Sequence, residues 1–184
     1  PSGFLALCTS NLPDPVETVD PAEGGSPQDY FNTVLYTGNA STQNITGVGF
    51  QPDWIWIKER SSTSSHALFD SVRGVNKVLA SDLADEEDTS NSTLMTAFGS
   101  DGFSLGDNNR TNQNTETYVA WNWKAGTAFS NDASSTGVGT IDSTGSVSAD
   151  TGFSIISWTG TGSNATVAHG LGVTPEMYIV KRRD

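Results

Sequence analysis

The feature that most constrains this chain is an internal repeat. Phe31 to Arg60 can be laid over Phe153 to Arg183. Thr37-Gly38 recurs as Thr159-Gly160, and Gly47-Val48-Gly49 recurs as Gly170-Leu171-Gly172 after one inserted residue. Pro52, Lys58 and Arg60 recur as Pro175, Lys181 and Arg183, while the apolar Tyr36, Ile55 and Ile57 recur as Trp158, Tyr178 and Val180. A period of about 122 residues is a whole domain, not a solenoid rung. The sequence therefore reads as one complete unit and the first two strands or so of a second. Two strands bury no core alone, so they are expected to pair onto the first unit, onto a neighbouring chain, or within a larger domain.

The units have the texture of strands joined by turns. Tyr30 to Thr37, Trp54 to Lys58, Phe103 to Leu105, Tyr118 to Trp123, Phe153 to Trp158 and Met177 to Val180 are runs of large apolar or alternating residues bounded by Gly, Asn and Asp. Charged residues make up 16% of the chain and there are 19 glycines, so the polar bulk is Ser, Thr, Asn and Gly, which favour turns and extended segments over helices. A helical turn or two is expected at Asp82 to Asp88. The fold class is all-β: a jelly-roll-like or lectin-like antiparallel sandwich, followed by the first strands of a second copy.

Four segments follow from this. Residues 1–28 contain Pro13, Pro15, Pro21 and Pro27 and read as a Pro-rich arm. Residues 29–126 form the first sandwich unit. Residues 127–150 read as a Gly/Ser/Thr-rich connector with at most one edge strand. Residues 151–184 are the partial second unit.

Charge and composition exclude several function classes. A net charge of -12 repels phosphate backbones, which argues against nucleic acid as a partner. It suits solubility, a self-repelling assembly surface, or binding of a divalent cation. The lone Cys8 excludes an internal disulfide and a Cys-based zinc site; it is expected to be a small buried apolar residue or a contact between subunits. No apolar run reaches the ~18 residues of a membrane-spanning helix, so no membrane insertion is expected.

The candidate chemistry is sparse. His66, Asp70 and Ser71 hint at a hydrolase, but they lie within six residues and lack a nucleophile elbow. An Asp70–Arg73 turn closed by Gly74 explains them without catalysis. A glycan-active enzyme would need two carboxylates facing across a groove, and nothing pairs Asp70, Asp101 or Glu116. No catalytic residue is assigned. Asp85 to Asp88 is an acidic loop without the ligand alternation of an EF-hand. Asp101 and Asp107, with Asn108 and Asn109, form a second oxygen-rich cluster that would suit Ca²⁺. Lys58 and Arg60 share a strand face and recur in the second copy, which suits a structural role.

The tryptophans carry the strongest binding signal. Trp54 and Trp56 share one strand face, and so do Trp121 and Trp123. Such pairs either stack on sugar rings, with Asn108 among the polar partners for hydroxyls, or fill a core poor in leucine. At least one pair is expected in the core. Ile55 and Ile57 fall on the face opposite Trp54 and Trp56.

The string Gly49-Phe50-Gln51-Pro52-Asp53-Trp54-Ile55-Trp56-Ile57-Lys58-Glu59-Arg60 leads into His66 to Gly74. Phe98 to Gly106 and Tyr118 to Gly126 follow in order. Together these resemble a domain of unknown function found, often in tandem, in tail-fibre-like and other structural proteins of tailed phages, especially marine ones. Pro1 to Leu7 and Asn11-Leu12-Pro13 resemble the exit from a SPRY-type sandwich that commonly precedes it. The family often has Cys where this chain has Asn122. The resemblance implies a non-catalytic virion appendage at the virion surface that touches host glycans, without a cofactor, and that contacts other virion chains as a homo-oligomer. The alternative is a purely structural assembly or decoration protein.

Overall fold

The computed structural model describes residues 26–184, so the expectations for Cys8 and nearly all of the Pro-rich arm lie outside the described residues. Ten strands form three antiparallel sheets. The main sheet runs β1 (Phe31–Thr37), β7 (Thr117–Trp123), β3 (Trp54–Glu59), β4 (Ala67–Asp70). The second runs β2 (Gln43–Ile45), β6 (Gly102–Leu105), β5 (Ala97–Gly99), and the third β10 (Phe153–Trp158), β9 (Ser143–Ser148), β8 (Thr127–Asn131). Helix is confined to single turns, α1 (Asn109–Asn112) and α2 (Ala133–Thr136), and a 3-10 turn at Pro27–Asp29. No helix among the described residues is long and apolar enough to cross a membrane. The expected all-β antiparallel sandwich is the observed fold.

Alternation builds the core. Ile55 and Ile57 of β3, Phe69 of β4, and Tyr118 and Ala120 of β7 point to one side of the main sheet. They meet Ile45, Phe103 and Leu105 of the second sheet, and Val78, Leu94 and Met95 from the loops fill the space between. Each large side chain so removed from water contributes about 1.5–3 kcal/mol. Asn122 also faces inward and is fully buried. Its amide nitrogen donates to the carbonyls of Asn32 and Ala120, and its amide oxygen has no partner.

Three sequence expectations need correction. Residues 127–150 are not a connector: they supply β8, α2 and β9. The hydrophobic signal is weak because β9 packs through small residues. Gly145 lies beneath the Phe129 ring, and a Cβ there would come within 2.5 Å of it. Asp132 caps α2 by accepting from the N–H groups of Ser134 and Ser135.

Asp82 to Asp88 is extended, not helical. Asp88 exchanges backbone hydrogen bonds with Val78 (3.1 and 3.0 Å), and the Glu87 N–H donates to the Arg183 carbonyl at 2.8 Å, so those groups are unavailable to a helix.

Met177 to Val180 is not a strand. The two copies share the first strand and the glycine turn, while the counterpart of β2 is a single parallel bridge from Val167 to Ile141. Gly47 and Gly49 have φ of 86° and 90°, Gly170 and Gly172 both 74°, and the residue between each pair, Val48 or Leu171, is buried. Beyond the turn, β3 runs between β7 and β4, whereas its counterpart has no strand on either side among the described residues. Met177, Tyr178, Ile179 and Val180 remain 60–82% exposed.

Candidate functional site

The register of the main sheet gathers that sheet's four tryptophans on its outer face. Trp54 lies opposite Trp123, and Trp56 opposite Trp121, across the β3–β7 ladder. The pairs that interact are thus cross-strand as well as along each strand. Ring centroids are 4.5 Å apart for Trp54–Trp123, 5.8 Å for Trp54–Trp56 and 6.1 Å for Trp56–Trp121. None of the four joins the core cluster, so the expectation of a core pair is corrected. Ile55 and Ile57 fill the core instead, and the rings are left half-buried outside it.

The two ends of this aromatic face differ. At the Trp54–Trp123 end, Phe153 of β10 lies nearly parallel to both rings, at 5.9 and 6.2 Å. Phe31 of β1 meets Trp123 at 4.9 Å. Phe31 and Phe153 are equivalent positions of the repeat and flank one tryptophan; the repeat was the signal that could have found them. At the Trp56–Trp121 end the neighbouring β1 positions are open: Thr33 is exposed and Leu35 is 63% exposed. Here the Trp56 indole N–H donates to His66 Nδ1 at 2.7 Å, which places the proton of a neutral imidazole on Nε2.

Asp53 fixes the strands that carry the rings. Its two carboxylate oxygens accept from the Ser71 hydroxyl (2.6 Å) and the Ala125 N–H (2.8 Å), and its backbone N–H donates to the Trp123 carbonyl at 2.7 Å. One buried side chain thereby ties the ends of β3, β4 and β7 together. The sequence reading missed it, because a lone Asp after Pro looks like turn chemistry.

The other nominated residues are not part of this face. Asn108 caps α1 by accepting from the Arg110 N–H at 2.9 Å. Tyr36 and Tyr118, from the inner face of the main sheet, donate to the carbonyls of Thr111 and Asn109 and hold this turn on the opposite side from the tryptophans. Asp101 clamps the Gly47–Gly49 turn: its oxygens accept from both glycine N–H groups, at 3.0 and 2.6 Å. Those N–H groups, Gly49's first, hold its carboxyl below the usual aspartate range. Asp107 lies beyond the other end of β6, on the order of 15 Å along the chain, so the two carboxylates do not converge on one cation. No group of three or more potential metal-ligating side chains occurs among the described residues.

The hydrolase trio is dispersed among other partners. Asp70 Oδ2 accepts from Arg73 Nε at 2.5 Å and the Gly74 N–H donates to the Asp70 carbonyl, the turn the spacing suggests. Ser71 donates to Asp53, and His66 accepts from Trp56. In the acidic loop, Glu87 is engaged by Arg73 and Arg183 and Asp88 by Ser90.

A family model described as a domain of unknown function, DUF7483, matches residues 26–184. The chain belongs to this family. The DUF7483 match covers all three sheets and both copies of the repeat. No curated protein and no solved structure matches the chain.

Proposed function

We propose that this chain is a non-catalytic module of a tail-fibre-type phage appendage, displayed at the virion surface, that attaches to host glycans through the outer aromatic face of its main sheet. The observation that carries the reading is the placement of Trp54, Trp56, Trp121 and Trp123 on a face that the sandwich core does not use. Trp54 and Trp123 pack against Phe153 of the third sheet, whereas Trp56 and Trp121 meet each other without a ring of that sheet between or over them. Half-buried indoles on a sheet face match a pyranose, which offers an apolar C–H face and a rim of hydroxyls. The phage setting rests on the sequence resemblance.

A glycan array probed with the protein, with and without Ca²⁺, tests the reading. Binding to a defined sugar that disappears in Trp56→Ala or Trp121→Ala, each with an unchanged circular dichroism spectrum, supports it. A blank array sinks it.

One observation favours the second reading, an assembly or decoration protein. Met177 to Val180 is exposed, apolar on both faces of an extended chain, and equivalent to a central strand. Strand addition to another virion chain, including a second copy, would bury it.

A further inference from the structure

A cleft of about 410 Å³ opens at the covered end of the aromatic face, between the main sheet and the turn leading into β10. Tyr30, Phe31, Trp123 and Phe153 wall it, and Lys124 and Thr151 lie on its lining. The rings pack on one another, Phe31 tilted 48° from Trp123 and Phe153 nearly parallel to it, so they form one continuous aromatic lining. The Lys124 ammonium sits 5.5 Å from the centre of the Tyr30 ring, and the Lys124 N–H donates to the Tyr30 carbonyl at 2.8 Å. The side chain is therefore held at the cleft, not free to sweep the surface. The acidic Asp150 lies on the same lining as Lys124, so the cleft carries both a cation and a carboxylate. The hydroxyl of Thr151 is buried and has no hydrogen-bond partner. Buried hydroxyls are nearly always satisfied, so one left open beside a cleft points to a ligand that completes it.

We infer that this cleft is the subsite for one hexopyranose ring of the bound glycan, an inference that rests on the glycan reading above. The cleft is of the size that holds a small ligand. A pyranose ring lays one C–H face on the aromatic lining and turns its other face to the solvent. The ammonium of Lys124 donates to one ring hydroxyl. The Thr151 hydroxyl, turned to the cleft by a χ1 rotation, both donates and accepts. A purely apolar ligand would make no use of the two polar groups, and a free anion would make no use of the aromatic lining.

Saturation-transfer NMR with the methyl glycosides of glucose, galactose, mannose and N-acetylglucosamine tests the subsite on the intact chain. We expect transfer to at least one glycoside. Lys124→Met and Thr151→Val, near-isosteric changes at partly exposed positions, should each weaken that binding about five- to tenfold with unchanged thermal unfolding. Binding that survives both substitutions but is lost in Trp121→Ala overturns the cleft and leaves the glycan reading standing. No transfer to any of the four overturns the cleft; a blank glycan array as well overturns the reading beneath it.

Discussion

Arg73 keeps a full charge on a side chain that is 6% exposed, and its neighbours explain how. Its guanidinium meets Asp70 at 2.5 Å and Glu87 at 2.8 Å, and it donates to the carbonyls of Lys77 and Leu68. Arg183 adds a second cation to Glu87 at 2.9 Å. Removing Arg73 leaves the buried Asp70 carboxylate without its counter-charge and Glu87 with Arg183 alone, so Arg73→Met should cost about 3–5 kcal/mol in urea unfolding. Burial alone would raise the Glu87 carboxyl, but hydrogen bonds from Arg183 and Arg73 hold it below the usual glutamate range. A carboxyl depressed in the folded state contributes stability that is complete above its unfolded value and is lost as pH falls through its folded one. Urea midpoints should therefore hold from neutral pH down to about pH 5 and fall below it, and Glu87→Gln should be weaker at neutral pH with a shallower acid limb. Parallel acid limbs in the two proteins would refute this. At this scale the Asp70–Arg73 turn was legible, because both partners lie within four residues. Glu87 and Arg183 were not, because their meeting depends on how the chain beyond β10 returns across the acidic loop.

At the scale of elements, β10 joins two parts of the fold through one ring. Phe153 lies against Trp54 and Trp123, and the Gly126 N–H donates to the Ser146 hydroxyl at 3.1 Å nearby. Truncating the half-buried ring in Phe153→Ala should cost about 2 kcal/mol, less than a fully buried phenylalanine. The loss should be local. Hydrogen exchange should quicken in β8, β9 and β10 while the β3–β7 ladder stays protected, and tryptophan emission should shift to the red. Uniformly faster exchange would mean that the third sheet shares one cooperative unit with the sandwich. Strands were legible where large residues alternate, as in β1, β3, β6, β7 and β10. Three-residue β2 and β5 are too short to show a period, and β9 conceals its strand in Ser and Gly. The aromatic face was half legible. Period two puts Trp54 with Trp56 and Trp121 with Trp123, but β3 is apolar on both faces, so parity could not say which one meets the core. The cross-strand register decided that, and it made the indoles the outer set.

At the scale of the whole molecule, the repeat holds in β10 and in the Gly170–Gly172 turn and fails where partner strands are required, at the counterparts of β2 and β3. Glycine conformations and a buried residue between them are local properties, so the second copy reproduces them. A central strand is a tertiary property, because its backbone groups are satisfied by neighbours on both edges. The counterpart of β3 has the residues of a doubly buried strand and the exposure of a loop: Ile179 is 60% exposed and Tyr178 82%. Apolar segments of this kind, with open backbone groups, add to sheet edges of other chains. Nearby contacts anchor but do not cover it: Lys181 donates to the Leu83 carbonyl and Arg183 binds Glu87. We therefore expect concentration-dependent self-association in sedimentation velocity. Ile179→Lys places a charge in the middle of the segment without touching the core, so it should return the protein to a monomer with an unchanged melting temperature. Glycan binding should survive this change if the aromatic face acts within one chain, and should fall with the oligomer if attachment depends on several faces acting together. A wild-type protein that stays monomeric at high concentration would remove strand addition between copies and leave the exposed segment to a different chain.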